Sequence, residues 1–403
     1  MKKIAINLFA LGIVATTFTA CDDAKYDTID NMIYISEAVG SDPSSEIVLG
    51  PTGEHSSTKI TVRMAQKAAS DTKVQLALDQ ATLEAYNQRN ETEFVMIPQE
   101  YITIPSEVVI PAGASTAEVE VEITSFNGEA GVDYAAPIKI TSAEGVKISQ
   151  GSNIFIVTLG KILTQKAPAF YYDNAMKMNW TDPVEFNNLT LEWWVRVTNT
   201  TGNGGFSTNN QALFAFQGNK ELYVRFGDLT YGGSDGRAGK HEFLQIKTMG
   251  IDANYDSGDP NDESKKLPWG TWIHFAHTYD AATGDVILYK NGVEVNRANG
   301  GAGTVLKFEG LTMCGSGSRY FQDYIEICQV RLWKTTRSAA QIQKFMKKEV
   351  KYTDPNLVFY IPMNEGQGDI LHDVTGNGHD ITIGSADNGG NNEAHSWTEY
   401  SFE

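Results

Sequence analysis

The stretch TWIHFAHTYDAATGDVILYKNGVEV, residues 271–295, decides the fold class of the second half of the chain. Large side chains occur on both faces of its first strand, at 273, 275, 277 and 279 on one face and at 272 and 274 on the other. This pattern predicts a strand that is buried on both sides or lies under a ligand. Turns are predicted at 280–285 and at Asn291-Gly292, where both residues tolerate the positive φ of a type I′ hairpin. The stretch therefore predicts a β-meander.

Alternation with a period of two continues over most of the chain and predicts an all-β protein. Strands are predicted at 59–64, 73–79, 117–125, 137–142, 153–159, 189–197, 212–218, 221–227, 242–248, 304–314 and 324–333. Helices are predicted only at 81–93 and at 338–350, the second with Ser338 as its N-cap. We therefore expect an Ig-like β-sandwich of about seven strands at 31–160. A linker at 161–169 and a larger jelly-roll sandwich at 170–403 would follow.

The charge balance excludes one class of partner. The chain has 403 residues and a net charge of −18. A protein with this surplus of carboxylates has no excess of Lys and Arg with which to release the counterions of nucleic acid. The charge is compatible with cations, with neutral glycans or with a solvated outward surface, and it does not choose among them.

The first 21 residues predict export. Lys2 and Lys3 precede an apolar run at 4–15, which is typical of a secretion signal and too short for a membrane span. Thr19-Ala20-Cys21 resembles the lipobox of bacterial lipoproteins, in which the cysteine is lipidated and begins the mature chain. The alternatives are an uncleaved apolar N-terminus and plain secretion.

The acidic pair Asp22-Asp23 resembles the signal that sends Bacteroidetes lipoproteins to the cell surface. The two resemblances together imply a protein that Cys21 anchors in the outer membrane, facing the cell exterior. Residues 22–30 would then form a tether.

Three separated segments resemble the concanavalin A-like lectin/glucanase domains of the laminin-G-like branch. The opening stretch matches their W-x-H-x-A…Y-x-x-x-x-G-x-x-x-x-Y-x-N-G pattern through Trp272, His274, Ala276, Tyr279, Gly284, Tyr289, Asn291 and Gly292. Residues 324–346 and 357–385 resemble later segments of that family. The segment 83–115 is similar to an uncharacterised N-terminal domain of Bacteroidetes lipoproteins that often precedes glycan-handling modules. The pairing implies a protein of a surface glycan-utilisation system, with a polysaccharide or glycoprotein glycan and other proteins of that system as partners.

Catalytic motifs are missing from the sequence. Enzymes on the jelly-roll scaffold carry E-x-D-x-E or E-x-D-x-x-E on one strand, because residues i, i+2 and i+4 share a face. No such motif occurs in 168–403. The carboxylate ladder Glu118, Glu120 and Glu122 alternates with an apolar face and predicts a solvated surface. His274 and His277 fall on opposite faces of one strand, so they cannot converge on a metal. We expect no enzyme activity.

Glycan binding is assigned to loops, where aromatic faces and polar groups are free to meet a sugar. The candidates in three loops are Tyr231, Asp235, Arg237, His241, Arg319, Tyr320, Asn391, Asn392 and Trp397. The tryptophans at 193, 194, 272 and 333 lie in predicted strands and are expected in the core.

The loop DANYDSGDPNDE, residues 252–263, predicts a candidate calcium site. Asp252, Asn254, Asp256 and Glu263 have the oxygen-ligand spacing of an EF-hand-like loop. Ser257 stands where that turn requires glycine, so an ordinary polar loop is the alternative. No cofactor is required by any other motif. Cys314 and Cys328 could form a disulfide in an exported chain or remain buried thiols.

The leading hypothesis is therefore a carbohydrate-binding surface lipoprotein that does not cleave its ligand. An adhesin or protein-docking module is the first alternative, and a glycoside hydrolase with an atypical carboxylate pair is the second.

Overall fold

The computed structural model describes residues 30–50, 52–198, 211–227, 242–251, 255–259, 262–315, 323–387 and 389–402. Within these residues the chain is mostly strand and builds two successive β-sandwiches, each with its own hydrophobic core. The predicted all-β fold class is confirmed. None of the helices in this part of the chain is long and apolar enough to cross a membrane.

The first sandwich consists of two mixed sheets. Its strands are β1 (Met32–Ile35), β2 (Ser44–Leu49), β3 (His55–Met64), β4 (Thr72–Leu78), β5 (Val95–Met96), β6 (Ile102–Thr103), β7 (Glu107–Ile110), β8 (Thr116–Thr124), β9 (Tyr134–Ala143), β10 (Lys147–Ile148) and β11 (Ile154–Lys161). One sheet has the order β10-β1-β3-β8-β6, and the other has the order β2-β11-β9-β4-β7 with β5 beside β9. The expected number of strands was too low because β5, β6 and β10 have two residues each and carry no alternation.

The helix predicted at 81–93 is α1 (Gln80–Asn90). Asp79 caps it, since its carboxylate accepts a hydrogen bond from the Thr82 N–H at 3.1 Å. Glu91 ends it in the left-handed conformation at φ 52°. Leu83 is fully buried against the outer side of the second sheet.

The second sandwich consists of two larger sheets. Its strands are β12 (Leu163–Phe170), β13 (Met176–Phe186), β14 (Asn188–Thr198), β15 (Gln211–Gly218), β16 (Leu222–Phe226), β17 (Leu244–Thr248), β18 (Ile273–Asp280), β19 (Asp285–Lys290), β20 (Val293–Asn299), β21 (Leu306–Met313), β22 (Tyr324–Trp333), β23 (Leu357–Ile361), β24 (Ile370–Leu371), β25 (Ile381–Thr382) and β26 (Ser396–Phe402). The first sheet has the order β20-β19-β18-β14-β22-β12-β26, with β23 beside β22. The second has the order β17-β16-β15-β21-β13-β25-β24. The described residues include three short 3-10 helices, at Gln99–Tyr101, Tyr172–Asn174 and Glu263–Lys265.

The opening stretch folds as the predicted meander of β18, β19 and β20. Asn291 and Gly292 have φ of 50° and 76°, as a type I′ turn requires. Both faces of β18 are buried, because one face lies between the sheets and the other packs under α2 (Ala339–Phe345), where Ile342 contacts Ala276. The first strand is therefore covered by protein on both sides.

Helix α2 is shorter than predicted. Ser338 caps it in a capping box with Gln341, as expected. It ends at Phe345 because side chains of the sheet bind the next carbonyl groups. The Trp194 indole N–H donates to the Met346 carbonyl at 2.6 Å, and Arg331 donates to the carbonyls of Phe345 and Lys348.

The predicted linker at 161–169 is not a linker in the structure. Leu163–Phe170 form β12, which pairs with β26 from Leu163↔Phe402 to Ala169↔Ser396. The chain passes from β11 to β12 through Ile162 alone, so the two sandwiches are joined without a spacer. The apolar and polar residues of this segment do not alternate regularly, which is why its sequence predicted a linker.

Candidate functional site

An aromatic cluster lies where β12 ends and β22 begins. The Tyr171 ring contacts those of Tyr172, Tyr324 and His395 at centroid distances of 4.6, 5.3 and 6.0 Å. Tyr324 and His395 are 5.0 Å apart. We call these four side chains the rim cluster. Tyr172 is 37 % exposed, so the cluster presents an aromatic surface to solvent.

Backbone pairing places these side chains together. Tyr171 follows β12 directly, and the last residue of β12, Phe170, pairs with Ile325 next to Tyr324. His395 precedes β26, and its N–H donates to the Ala169 carbonyl at 2.9 Å. Asn174 is fully buried and donates to the carbonyls of Asn391 and Glu393 at 3.0 and 2.8 Å. Three segments that are distant in sequence are thereby held in one place.

Polar groups border the aromatic rings. The His395 Nε2 atom lies 2.9 Å from the Asp173 carboxylate and 3.4 Å from the Asn391 side-chain amide. Burial raises the pKa of Tyr171 above its ordinary value of 10.0, with smaller contributions from Tyr172 and other neighbours. Tyr171 therefore keeps its phenolic proton at neutral pH. The rim cluster combines aromatic faces with an acid, an imidazole and an amide, which is the set of groups that holds sugar hydroxyls.

Trp269 lies at the same end of the sheet as the rim cluster and is 47 % exposed. The N–H of the neighbouring Gly270 donates to the carbonyl of Val197 in β14. Thr198, the residue after Val197, pairs with Tyr324 of β22. This places the loop of Trp269 on the far side of β14 from Tyr324, at the same end of the sheet. Trp269 is not among the residues predicted from the sequence, although a tryptophan in a loop is a signal that could have indicated it.

In the second sandwich, the outer face of the sheet that contains β16 and β17 carries another group of polar side chains. Arg225 donates to the Gln245 Oε1 atom from Nε at 3.1 Å and from Nη2 at 2.7 Å, and its guanidinium lies 5.4 Å from the Tyr223 ring. The buried Gln245 Nε2 has no hydrogen-bond partner within the described ranges. Tyr223 and Arg225 alternate with the core residues of β16, so their outward position could have been inferred from that period.

The structure brings only part of the predicted glycan-binding set to this region. Asn391 belongs to the rim cluster's polar border, and Asn392 beside it is exposed. Trp397 was expected in a loop, but it lies in β26, pairs with Pro168 and packs partly against the core. Tertiary pairing with β12 converts this loop candidate into a strand residue. The other candidates, Tyr231, Asp235, Arg237, His241, Arg319 and Tyr320, lie outside the described residues.

The loops that hold these other candidates are flanked by described residues at the same end of the sandwich. Gln211 opens β15, and its side-chain amide donates to the buried Asp323 carboxylate at 2.7 Å. Tyr324 of the rim cluster follows Asp323 directly. The end of β16 and the start of β17, which flank residues 228–241, are paired through Phe226↔Leu244.

The structure describes only two of the four predicted calcium ligands, Asp256 and Glu263. Asp252 and Asn254 lie outside the described residues. Asp256 is 1 % exposed, and the Glu263 carboxylate forms an ion pair with Lys266 at 2.7 Å. The described ranges contain no group of three or more side chains that could ligate a metal. The calcium site remains a prediction.

The possible disulfide is not formed. Cys314 and Cys328 are free thiols and fully buried. Cys314 follows β21 in one sheet, whereas Cys328 lies in β22 of the other sheet. Facing sheets are about 10 Å apart, beyond the Cα separation of a disulfide. Burial raises the pKa of both thiols above the ordinary value.

The glutamates of β8 and the histidines of β18 lie where the sequence predicted them. Glu118, Glu120 and Glu122 point to solvent from β8, and Glu118 pairs with Lys59 at 2.9 Å. The prediction that this ladder is a solvated face is confirmed. His274 and His277 are buried on opposite faces of β18, as predicted. The strand tryptophans are in the core, with exposures of 0 % for Trp193 and 3 % for Trp333.

The fold is shared with a known protein of similar length. A candidate carbohydrate-binding protein from Bacteroides ovatus ATCC 8483 aligns with 88 % of this chain and 98 % of its own, with a TM-score of 0.61 and 18 % identity. EndoBT-3987 of Bacteroides thetaiotamicron, solved with a Man5GlcNAc product, is 22 % identical over 32 % of this chain and 30 % of its own, with a TM-score of 0.28. A SAP-like pentraxin of Limulus polyphemus is 12 % identical over 56 % of this chain and 95 % of its own, with a TM-score of 0.31.

Family models match both sandwiches. A model described as an N-terminal domain matches residues 29–147. A sequence search among curated proteins finds no match. The model of the concanavalin A-like lectin/glucanases superfamily matches residues 172–343, which contain β13 to β22 and most of α2. The C-terminal sandwich of this chain is therefore a member of the concanavalin A-like lectin/glucanase superfamily.

Proposed function

We propose that the protein is a carbohydrate-binding surface lipoprotein that holds a glycan at the rim cluster without cleaving it. The observation that carries this proposal is the meeting of Tyr171, Tyr172, Tyr324 and His395 with Asp173 at an exposed edge of a lectin-like sandwich. Aromatic faces bind the apolar side of a pyranose ring, and the carboxylate and imidazole bind its hydroxyl groups. The similar Bacteroides ovatus candidate carbohydrate-binding protein supports the same assignment.

The carboxylates at the rim do not suit hydrolysis. Glycoside hydrolysis uses two carboxyl groups about 5 to 9.5 Å apart on either side of the bond that breaks. Asp173 is held by His395, and Asp323 is fully buried against Gln211. Asp323 is too deeply buried to reach a bound sugar, and Asp173 is paired with His395, which together support binding without chemistry.

The location proposed for this function is the outer membrane, with the chain facing the cell exterior as part of a glycan-utilisation system. The lipobox-like Thr19-Ala20-Cys21 and the acidic pair behind it support this part of the proposal. Replacement Cys21→Ala is expected to remove the protein from the outer-membrane fraction. Retention of the variant in the outer membrane would contradict lipid anchoring at this residue.

The test of binding is affinity electrophoresis of residues 22–403 on a panel of polysaccharides, with reducing ends assayed in parallel. We expect retardation on at least one glycan without new reducing ends. Tyr324→Ala should weaken that retardation about tenfold, since the lost ring contact is worth about 1.4 kcal/mol. Tyr34→Ala is the matched control, because Tyr34 is a partly exposed tyrosine of the first sandwich.

Three results would contradict the proposal. New reducing ends would show that the protein is a glycoside hydrolase. Retardation that Tyr324→Ala and Tyr172→Ala leave unchanged would place the glycan elsewhere. No retardation on any glycan would favour an adhesin or protein-docking module on the same fold.

A further inference from the structure

A cavity of about 710 Å³ lies between the two sandwiches. Its walls come from the turn after β8, the junction of β11 and β12, the segment after α2 and the last strand β26. Small-molecule sites in proteins have volumes of about 300 to 1000 Å³ and are common at domain interfaces. The cavity is separate from the rim cluster, because none of the rim residues lines it.

Contacts between the sandwiches hold the walls in place. Lys348, which follows α2, forms an ion pair with Asp133 of the first sandwich at 3.2 Å. Gly131 lies so close to the second sandwich that an added Cβ would overlap the backbone of Val350 and Lys351. The junction through Ile162 adds a covalent constraint without a spacer. The cavity is therefore a feature of the docked domains.

Aromatic rings form part of the first sandwich's wall. Phe126 and Tyr134 line the cavity and lie edge to face at 5.1 Å, and Tyr101 stacks behind Phe126 at 4.4 Å. The Tyr134 hydroxyl accepts a hydrogen bond from the Glu129 N–H at 3.1 Å and keeps its own proton for donation. The half-buried Tyr134 is suited to contact the apolar face of a sugar ring and one of its hydroxyl groups.

Polar groups from the second sandwich complete the lining. The Thr164 and Ser401 hydroxyls are 2.8 Å apart on neighbouring strands. The Asn364 Oδ1 atom accepts from the Lys166 N–H at 2.7 Å, and its amide nitrogen retains two protons for donation. Hydroxyl and amide groups of this kind recognise polyols through directed hydrogen bonds.

The charges in the lining exclude one class of ligand. Four carboxylates and two ammonium groups line the cavity, which leaves an excess of two negative charges: Glu129, Asp133, Glu349 and Glu399 against Lys161 and Lys348. An acidic sugar would be repelled by this surplus, and a ligand without acidic groups would not.

We propose that this cavity is a second saccharide site, which binds one to three sugar rings that carry no acidic groups. The inference rests on the proposed function, since it extends glycan binding from the rim cluster to the domain interface. It makes the first sandwich a part of the binding surface.

The experiment measures hydrogen exchange of residues 22–403 with maltotriose, cellotriose, mannotriose and xylotriose, each tested separately, and with trigalacturonic acid as the charged probe. At least one neutral trisaccharide should slow exchange in the segment 126–134. Thr164→Trp fills the cavity from an exposed strand position. It should raise the trisaccharide concentration needed for half-maximal protection at least tenfold. Thr164→Ser keeps the hydroxyl bonded to Ser401 and should behave as the wild type.

The outcomes separate the two sites. Protection of 126–134 that survives Tyr324→Ala and is lost in Thr164→Trp supports the second site, whatever happens at the rim. Protection confined to 171–174 and 391–395 overturns the second site and leaves the proposed function standing. Equal protection by trigalacturonic acid overturns the charge argument. No protection of 126–134 by any trisaccharide overturns the second site, whereas the proposed function is decided separately by retardation on the polysaccharide panel.

Discussion

Lowering the pH should destabilise the C-terminal sandwich through His277. This side chain is fully buried, and burial lowers its pKa from 6.5 to about 3. The folded state therefore binds the proton less well than the unfolded state between these two pH values. The stability that the neutral imidazole contributes is present above pH 6.5 and is lost as the pH falls towards 3.

The size of the effect follows from the shift. Each pH unit below 6.5 costs about 1.4 kcal/mol of unfolding free energy for one such group. Between pH 7.5 and 4.5 the loss from His277 is about 2.7 kcal/mol, because only the two units below 6.5 contribute. His274 acts in the same direction, since burial, Arg331 and Arg337 lower its pKa well below the ordinary value.

The assay is urea unfolding at a series of pH values, followed by tryptophan fluorescence. All seven tryptophans lie after residue 170, so the signal reports the C-terminal sandwich. His277→Asn removes the proton site and retains a group that can bind the Tyr255 hydroxyl, which lies 3.0 Å from Nδ1. The variant should lose about 2.7 kcal/mol less than the wild type over this range. An unchanged pH dependence in His277→Asn would refute the reasoning, and His55→Asn, an exposed site in the first sandwich, is the control.

Three further predictions concern stability and reactivity. Cys314 and Cys328 should resist iodoacetamide at pH 8 in the folded chain 22–403 and react after unfolding, as mass spectrometry would show; labelling of the native protein would contradict their burial. Ser338→Ala should lower the unfolding free energy by about 1 kcal/mol in the same urea assay, because α2 loses its capping box, whereas Ser338→Thr should not. Gly131→Ala should separate the sandwiches and increase the radius of gyration measured by small-angle scattering, since its Cβ would overlap the backbone of Lys351; an unchanged radius would show that the interface adapts.

The meander at 271–295 shows why much of the fold could be predicted from sequence. Its alternation and its Asn-Gly turn are local signals, and each of them specifies one backbone geometry. The segment 163–170 shows the opposite case. It becomes a strand because it pairs with distant residues, as between Thr164 and Ser401, which are 237 positions apart, and no local pattern encodes that partner.

The residue types of the candidate site could be predicted from the sequence, but most of its position in the fold could not. Aromatic and polar side chains in loops were the correct residue types, and Asn391 was selected on that basis. The rim cluster joins Tyr171 and Tyr172 to Tyr324 and His395, which come from three distant segments, so no spacing in the sequence connects them. The Tyr-Tyr-Asp triplet at 171–173 was the one local signal that could have drawn attention to this place.

The pairing of β12 with β26 also orders the events of folding. Every strand of the first sandwich precedes residue 162, so this unit can fold while the rest of the chain is still being synthesised. Apart from two residue pairs with β22, β12 has its ladder partner only in residues 396–402. The edge of the sheet that contains β12 is therefore completed only after residues 396–402 have been synthesised. Until then most of β12 lacks a ladder partner, and an unpaired strand edge of this kind can associate with other nascent chains.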